Sequence, residues 1–296
     1  MVLIAGSLLL GFRATEGVLA VFGDLGERTA AVYGTAAGIV NPDKRLRDHD
    51  LDAGLLSTTY TMRWEPRRAV SGGGTSSYDV TENLFGAVHA PALGYPERSD
   101  LIDAVRSVSG HRDDAADAEL KQDAREVFDR LPPALDAVAV VEFARPMTAE
   151  RLTDLYRKYG LCGGEGVSYI YSLYHHDDSG GDPPENAVVW DRYPGYRDMR
   201  RPAPERAETP QDVARRCGTG PEAALASFRD WVGVLDEDDD LAEFGLDHGA
   251  LRLAADEGVA YGLVADRWKA ADLGRLLGDP DVRTVRVTDV AFDLGR

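Results

Sequence analysis

Apolar and polar positions recur along this chain with two periods, and each change of period marks an element. Leu55 to Trp64 is rich in β-branched and aromatic residues and predicts a strand; the glycines of 71–74 break it, and Tyr78 to Val88 offers a second extended run. Asn41 to His49 reads as a polar turn and charged loop ahead of them. Helical spacing follows. Ser99 can cap a helix carrying Leu101, Ile102, Val105 and Val108, and Asp113 or Asp114 a longer one carrying Leu120, Ala124, Val127, Phe128 and Leu131, stopped by Pro132-Pro133.

Val138 to Phe143 is a nearly continuous apolar run of strand length. Thr148 then serves as N-cap, with Met147 and Leu152 as a hydrophobic staple and Leu152, Leu155, Tyr156 and Tyr159 on one helix face ended by Gly160. Val167–Ser172 and Ala187–Trp190 predict strands. The polar stretch from Asp191 to Cys217 has little period, and Pro221 opens a helix burying Leu225, Phe228, Trp231, Val232 and Leu235. Asp247 caps a further helix. The last forty residues read as a βαβ unit: Val259, Tyr261 and Leu263 in a strand, Ala270, Leu273, Leu276 and Leu277 in a helix, and Val285 and Val287 alternating with polar residues in a strand with an antiparallel or edge setting.

From residue 136 onward the order is β-α-β-β-α-α-β-α-β. This predicts an α+β fold: a two-layer sheet with helices on one side, split-βαβ and ferredoxin-like, preceded by a small β-rich region. The expected organisation is a truncated membrane helix or stem over 1–40, a β-rich membrane-proximal region over 41–95 and an α+β domain over 96–296. Met1 to Phe12 is apolar apart from the small Gly6, Ser7 and Gly11. It falls short of the about twenty residues of a spanning helix and lacks the basic leader of a secretory signal. A truncated span, an atypical signal and a buried first element compete for it, and the weakly apolar stretches after it favour the span.

Charge narrows the partners. With 33 Lys and Arg against 51 Asp and Glu the net charge is −18, which repels a nucleic acid unless one face gathers the arginines, and no basic cluster does so. Lysine occurs only at Lys44, Lys121, Lys158 and Lys269, a skew that looks like a GC-rich coding bias of the actinobacterial kind.

Candidate chemistry is sparse. Cys162 and Cys217 are too few for a zinc site and leave a single disulfide or two thiols open. His175, His176 and Asp177 are the best metal candidates, read against a solvated loop after a strand, since neighbours on a strand point to opposite faces. Asp236–Asp240 lacks the alternating ligands and glycine of a calcium loop. The glycine-rich 71–74 and 163–166 lack the spacing of a phosphate loop. Tyr169, Tyr171, Tyr174, Trp190, Tyr193 and Tyr196 either line a recognition groove or face the core. No nucleophile elbow, His-Glu-x-x-His or Cys-x-x-Cys occurs. The expectation is a non-catalytic chain with no catalytic residue and no cofactor.

Three segments carry a resemblance: Val140–Leu152, Val167–Tyr171, and Glu257–Val264 continuing through Val287. Together they resemble the sigma factor regulator C-terminal domain, the extracytoplasmic part of membrane-anchored anti-sigma factors. Asn41-Pro42 and Leu55–Tyr60 look like the juxtamembrane part of such proteins. The resemblance implies a sensory or regulatory domain at the cell membrane, on its extracytoplasmic side, taking an unknown ligand or protein. It also implies a sigma factor partner reached only through a segment missing from this N-terminus. Two rivals stand beside it: a secreted or surface-anchored binding protein, and a metal-dependent hydrolase using His175, His176 and Asp177.

Overall fold

The computed structural model describes residues 28–54, 56–69, 74–83, 85–90, 99–110, 114–161, 166–175, 185–191 and 210–292, with backbone alone at 53, 114–115 and 210–219. A π-helical turn, Ala30–Gly34, runs into α1 (Thr35–Val40). Four strands follow as an antiparallel meander: β1 (Lys44–Ala53), β2 (Ser57–Pro66), β3 (Ser76–Asn83) and β4 (Val88–His89). Then come α2 (Asp100–Arg106), α3 (Asp114–Arg130), β5 (Leu135–Thr148), α4 (Ala149–Tyr159), β6 (Val167–Ser172) and β7 (Val188–Asp191). The chain continues through α5 (Pro210–Val232), a 3-10 turn at Ala242–Phe244, α6 (His248–Glu257), β8 (Val259–Lys269), α7 (Ala270–Leu276) and β9 (Val282–Phe292).

The first sheet is packed on the helix that precedes it. Tyr60, Met62 and Trp64 alternate along β2 and are buried. The helix comes close because it presents glycine: a Cβ at Gly34 would stand 2.5 Å from a Tyr60 ring carbon. Residues 30–40, expected to belong to a membrane helix or stem, are therefore protein core, with Val32, Ala36, Ala37 and Ile39 at most 1% exposed. Among the described residues no helix is long and apolar enough to cross a membrane; Met1–Phe12 lies outside them.

Residues 44–49, expected as a charged loop, form the start of β1. This strand has a neighbour on one side only and is exposed from Arg47 to Asp52. An edge strand survives in water by carrying charge, which deters pairing with other chains and also disguises it as a loop.

The second sheet has the order β7-β6-β8-β5-β9 with every pair antiparallel. Thus α4 links two strands that flank β8, and α7 links two that flank β5. β5 alternates between two cores. Ala137, Ala139, Val141 and Phe143 join Leu152 and Leu155 of α4, Phe228 of α5, Leu251 of α6 and Leu273 of α7. Val138 and Val140 face the other way, onto Leu101, Ala104 and Val105 of α2. The protein is α+β, and α2 gives the sheet a helix on the face expected to lack one.

Local signals are obeyed where the hydrogen bond is short-range. Ser99, Thr148 and Asp247 accept from the amides of Ile102, Arg151 and Ala250 at 3.2, 3.4 and 2.8 Å, and cap α2, α4 and α6. Pro221 lies inside α5 rather than at its start; a proline removes one helical hydrogen bond, and the buried stripe Ala224, Leu225, Phe228, Trp231 and Val232 anchors the half that follows.

Phe228 is the hub of the helix-side core. Its ring lies 5.0 Å from Tyr171, 5.1 Å from Trp190 and 6.4 Å from Trp231. Phe228→Ala should lower the free energy of unfolding by about 3–5 kcal/mol in a urea titration; a loss under about 1 kcal/mol contradicts this packing.

Candidate functional site

The two sheets meet through charge. On β8 one extra residue, Arg267, interrupts the register between Asp266, opposite Val138, and Trp268, opposite Ala137. Arg267 takes a left-handed φ of 60°, a conformation that disfavours a side chain, and the fault turns Trp268 back to the helix-side core with Ala265. Asp266 is left facing the first sheet. Its amide donates to the Gly166 carbonyl at 2.9 Å, and Gly166, with φ 79°, has no room for a side chain because a Cβ would stand 2.7 Å from Asp266 Cβ.

Two arginines of the first sheet converge on that carboxylate. Arg45 of β1 donates from Nε to Asp266 Oδ2 at 2.6 Å and from Nη2 to Asp266 Oδ1, and its other amino group lies 3.6 Å from Glu65. Arg67, just past β2, has its side chain 3% exposed. It donates to Ser168 Oγ at 2.8 Å and to Asp191 Oδ2 at 3.1 Å, with Nε 4.0 Å from Asp266. Asp289 of β9 adds an acceptor for the Ala69 amide at 2.8 Å. Strands β6, β7, β8 and β9 are thus all tied to the chain of 45–69. The paired arginine fork gives direction as well as attraction.

A second buried carboxylate stands within the sheet. Glu142 of β5 is fully buried; Oε1 accepts from Arg283 at 2.7 Å and from the Ser109 amide at 3.1 Å, and Oε2 from Arg286 at 2.7 Å. Arg283 also donates to Asp117 of α3 at 2.5 Å. Burial pushes the Glu142 carboxyl up, but the Ser109 amide and the two guanidinium groups pull it further down, leaving it below its ordinary value. Asp279, before β9, is held low in the same way: burial raises it, and Lys158 at 2.7 Å with the Asp281 amide outweighs that.

The residues singled out in the sequence fall elsewhere. Tyr169, Tyr171 and Trp190 are core, 3%, 3% and 0% exposed, because β6 and β7 turn them toward α5; the groove they would line is an aromatic stack instead. Tyr174 is half-buried under the Arg106 guanidinium, 4.8 Å from its ring centre. Tyr193 and Tyr196 lie outside the described residues, as do His176, Asp177 and Cys162, and of Cys217 only the backbone, in α5, is described. His175 is exposed and exchanges backbone hydrogen bonds with Glu185 at 3.1 and 2.9 Å. Among the described residues no three His, Cys, Asp or Glu side chains gather to hold a metal. In the acidic run Asp236–Asp240, Asp239 is buried and pairs with Arg28 at 2.6 Å.

A groove of about 290 Å³ between α3 and α7 is lined by Phe128, Leu131, Pro133 and Gly274 and flanked by Arg125 and Arg275. Both arginines are engaged, on the carbonyls of Leu277 and Tyr159. Comparison with family models, with curated proteins and with solved structures finds no match to this chain.

Two outcomes test the charges. Asp266→Leu strands Arg45 and should cost about 3–5 kcal/mol, whereas Arg45→Met with Asp266→Leu should recover most of the loss, since an apolar pair can replace a buried ionic one; additive losses in a double-mutant cycle contradict the contact. For Glu142 the folded value is depressed, so its contribution is complete above the unfolded value near about 4.3 and is lost as pH falls through the lower folded value. The urea midpoint should drop on acidification below about pH 4, less steeply in Glu142→Gln; equal slopes contradict the assignment.

Proposed function

We propose that this chain is the extracytoplasmic sensory or regulatory part of an anti-sigma-factor-type protein, non-catalytic, acting at the cell membrane on transcription through a sigma factor bound by a segment N-terminal to the described residues. Its ligand is an extracytoplasmic small molecule or protein. The strand order β7-β6-β8-β5-β9 supports a split-βαβ, ferredoxin-like reading of the second sheet, in which β7, α5 and α6 are inserted before β8.

One observation supports the regulatory reading above others: the Arg45–Asp266 clasp. Arg45 lies four residues after Asn41, which ends the N-terminal helix, and Asp266 lies on a central strand of the second sheet. A shift of β8 relative to its neighbours has a direct ionic route into β1 and the helix before it. A two-state element at the bulged strand is what a sensor requires, because a ligand can bias only an arrangement with two alternatives.

Deleting the gene should raise transcripts that share one alternative promoter element, as RNA sequencing reads them. Complementation with the wild-type gene, including any coding sequence upstream in frame, should lower them again. Arg45→Met with Asp266→Leu should fold and reach the membrane fraction yet fail to restore control. Transcript levels indifferent to the deletion overturn the regulatory reading.

A further inference from the structure

Turns between strands normally carry glycine, asparagine, aspartate, serine or proline. Two turns at one end of the first sheet carry such residues, Gly54 and Asn83 with Gly86, but each adds a large apolar residue. Leu56, between β1 and β2, is 70% exposed, and Phe85, between β3 and β4, is 94% exposed. The two turns are neighbours, because Ser57 pairs with Asn83. Hydrogen bonds cross both turns: Gly54 N donates to the Ser57 carbonyl at 2.8 Å, and Asn83 Oδ1 accepts from the amides of Phe85 and Ala87 at 2.9 and 3.1 Å. Two large apolar side chains are therefore exposed on neighbouring turns at one end of the sheet.

The direction of the preceding helix says what lies beyond them. Thr29 Oγ1 donates to Glu82 at 2.5 Å, beside this end of the sheet, while Gly38 sits over Trp64 further along β2. The helix thus starts at the pole that carries Leu56 and Phe85 and runs away from it. The chain that enters there comes from the apolar segment Met1–Phe12 through residues 13–27. We propose that this pole faces a lipid bilayer and that Leu56 and Phe85 dip into its interfacial layer, holding the first sheet upright on the membrane; the inference rests on the membrane setting proposed above.

The rim gives this contact a sign. Asp52 and Glu82 lie nearest the two turns, with Asp50 and Asp79 further along the strands; neither 49–62 nor 76–90 contains a lysine or arginine, and Arg28 at the start of the helix is engaged by Asp236 and Asp239. Most peripheral anchors pair apolar residues with basic ones and prefer anionic lipid. This pole prefers zwitterionic lipid, and anionic lipid repels it at low salt.

The four native tryptophans are buried, at most 6% exposed, so an indole introduced at the pole reports locally. The whole chain carrying Phe85→Trp or Leu56→Trp is mixed with phosphatidylcholine vesicles containing dibrominated acyl chains. The added emission should be quenched. Phe292→Trp, beyond the Asp289 contact at the opposite end of the first sheet, should be unaffected. Leu56→Ser with Phe85→Ser should weaken partitioning by about tenfold, and phosphatidylglycerol should weaken it further at low salt. Vesicle binding with no quenching at either pole position overturns the anchor while leaving the membrane setting intact. Failure to bind vesicles at all overturns both. Capture of a basic protein that is lost on Phe85→Ser, without quenching, makes the pole a protein interface and overturns the bilayer contact.

Discussion

The arrangement of this protein depends on one carboxylate that the second sheet turns toward the first. Asp266 shares the face of Val264 by the regular alternation of β8, which turns it to Arg45, and the extra residue at Arg267 ends that alternation just beyond it. Removing two charges from water costs several kcal/mol each, so the clasp is a poor source of net stability compared with an apolar pair. What it supplies is register. A carboxylate gripped by a guanidinium fork fixes where β1 sits against β8, where apolar contact would tolerate sliding. The glycine at 166 and the left-handed Arg267 are the local conditions of that grip.

Glu142 repeats the device inside the sheet. It interrupts an apolar run on β5 and is answered by Arg283 and Arg286 across the ladder and by Ser109 from the chain before α3. Asp279 and Asp281 extend the pattern at the turn before β9, where Lys158, Arg151 and Arg145 close on them from β5 and α4. At each of these buried acids the chain sets a cation against it. The remaining acid is largely solvated, as on the outward side of β1.

Much of the fold was legible where the determining contact is local. Caps at Ser99, Thr148 and Asp247, the edge setting of β9 and the apolar run of β5 all follow from neighbours within a few residues. The helix ending at Val40 was not legible, because it is buried on nearly all sides and a helix without a polar face has no 3.6-residue period to read. β1 was hidden for the opposite reason: its charges face water and mimic a loop. The charged site was not read from the sequence. Glu142 and Asp266 are acids within apolar strands, a signal that was passed over, and Arg45 is 221 residues from Asp266, so no spacing rule joins them. For the aromatic residues the sequence left groove and core open, and Tyr169, Tyr171 and Trp190 fall in the core.

As a mechanism, the clasp connects whatever moves the second sheet to the helix that enters the molecule at its apolar-tipped pole. Hydrogen exchange of Asp266→Asn against wild type tests that connection most directly. The account predicts faster exchange both along 264–268 and in the helix and strands of 30–66, since loosening the clasp frees both sides. Faster exchange confined to β8, with 30–66 unchanged, would contradict it.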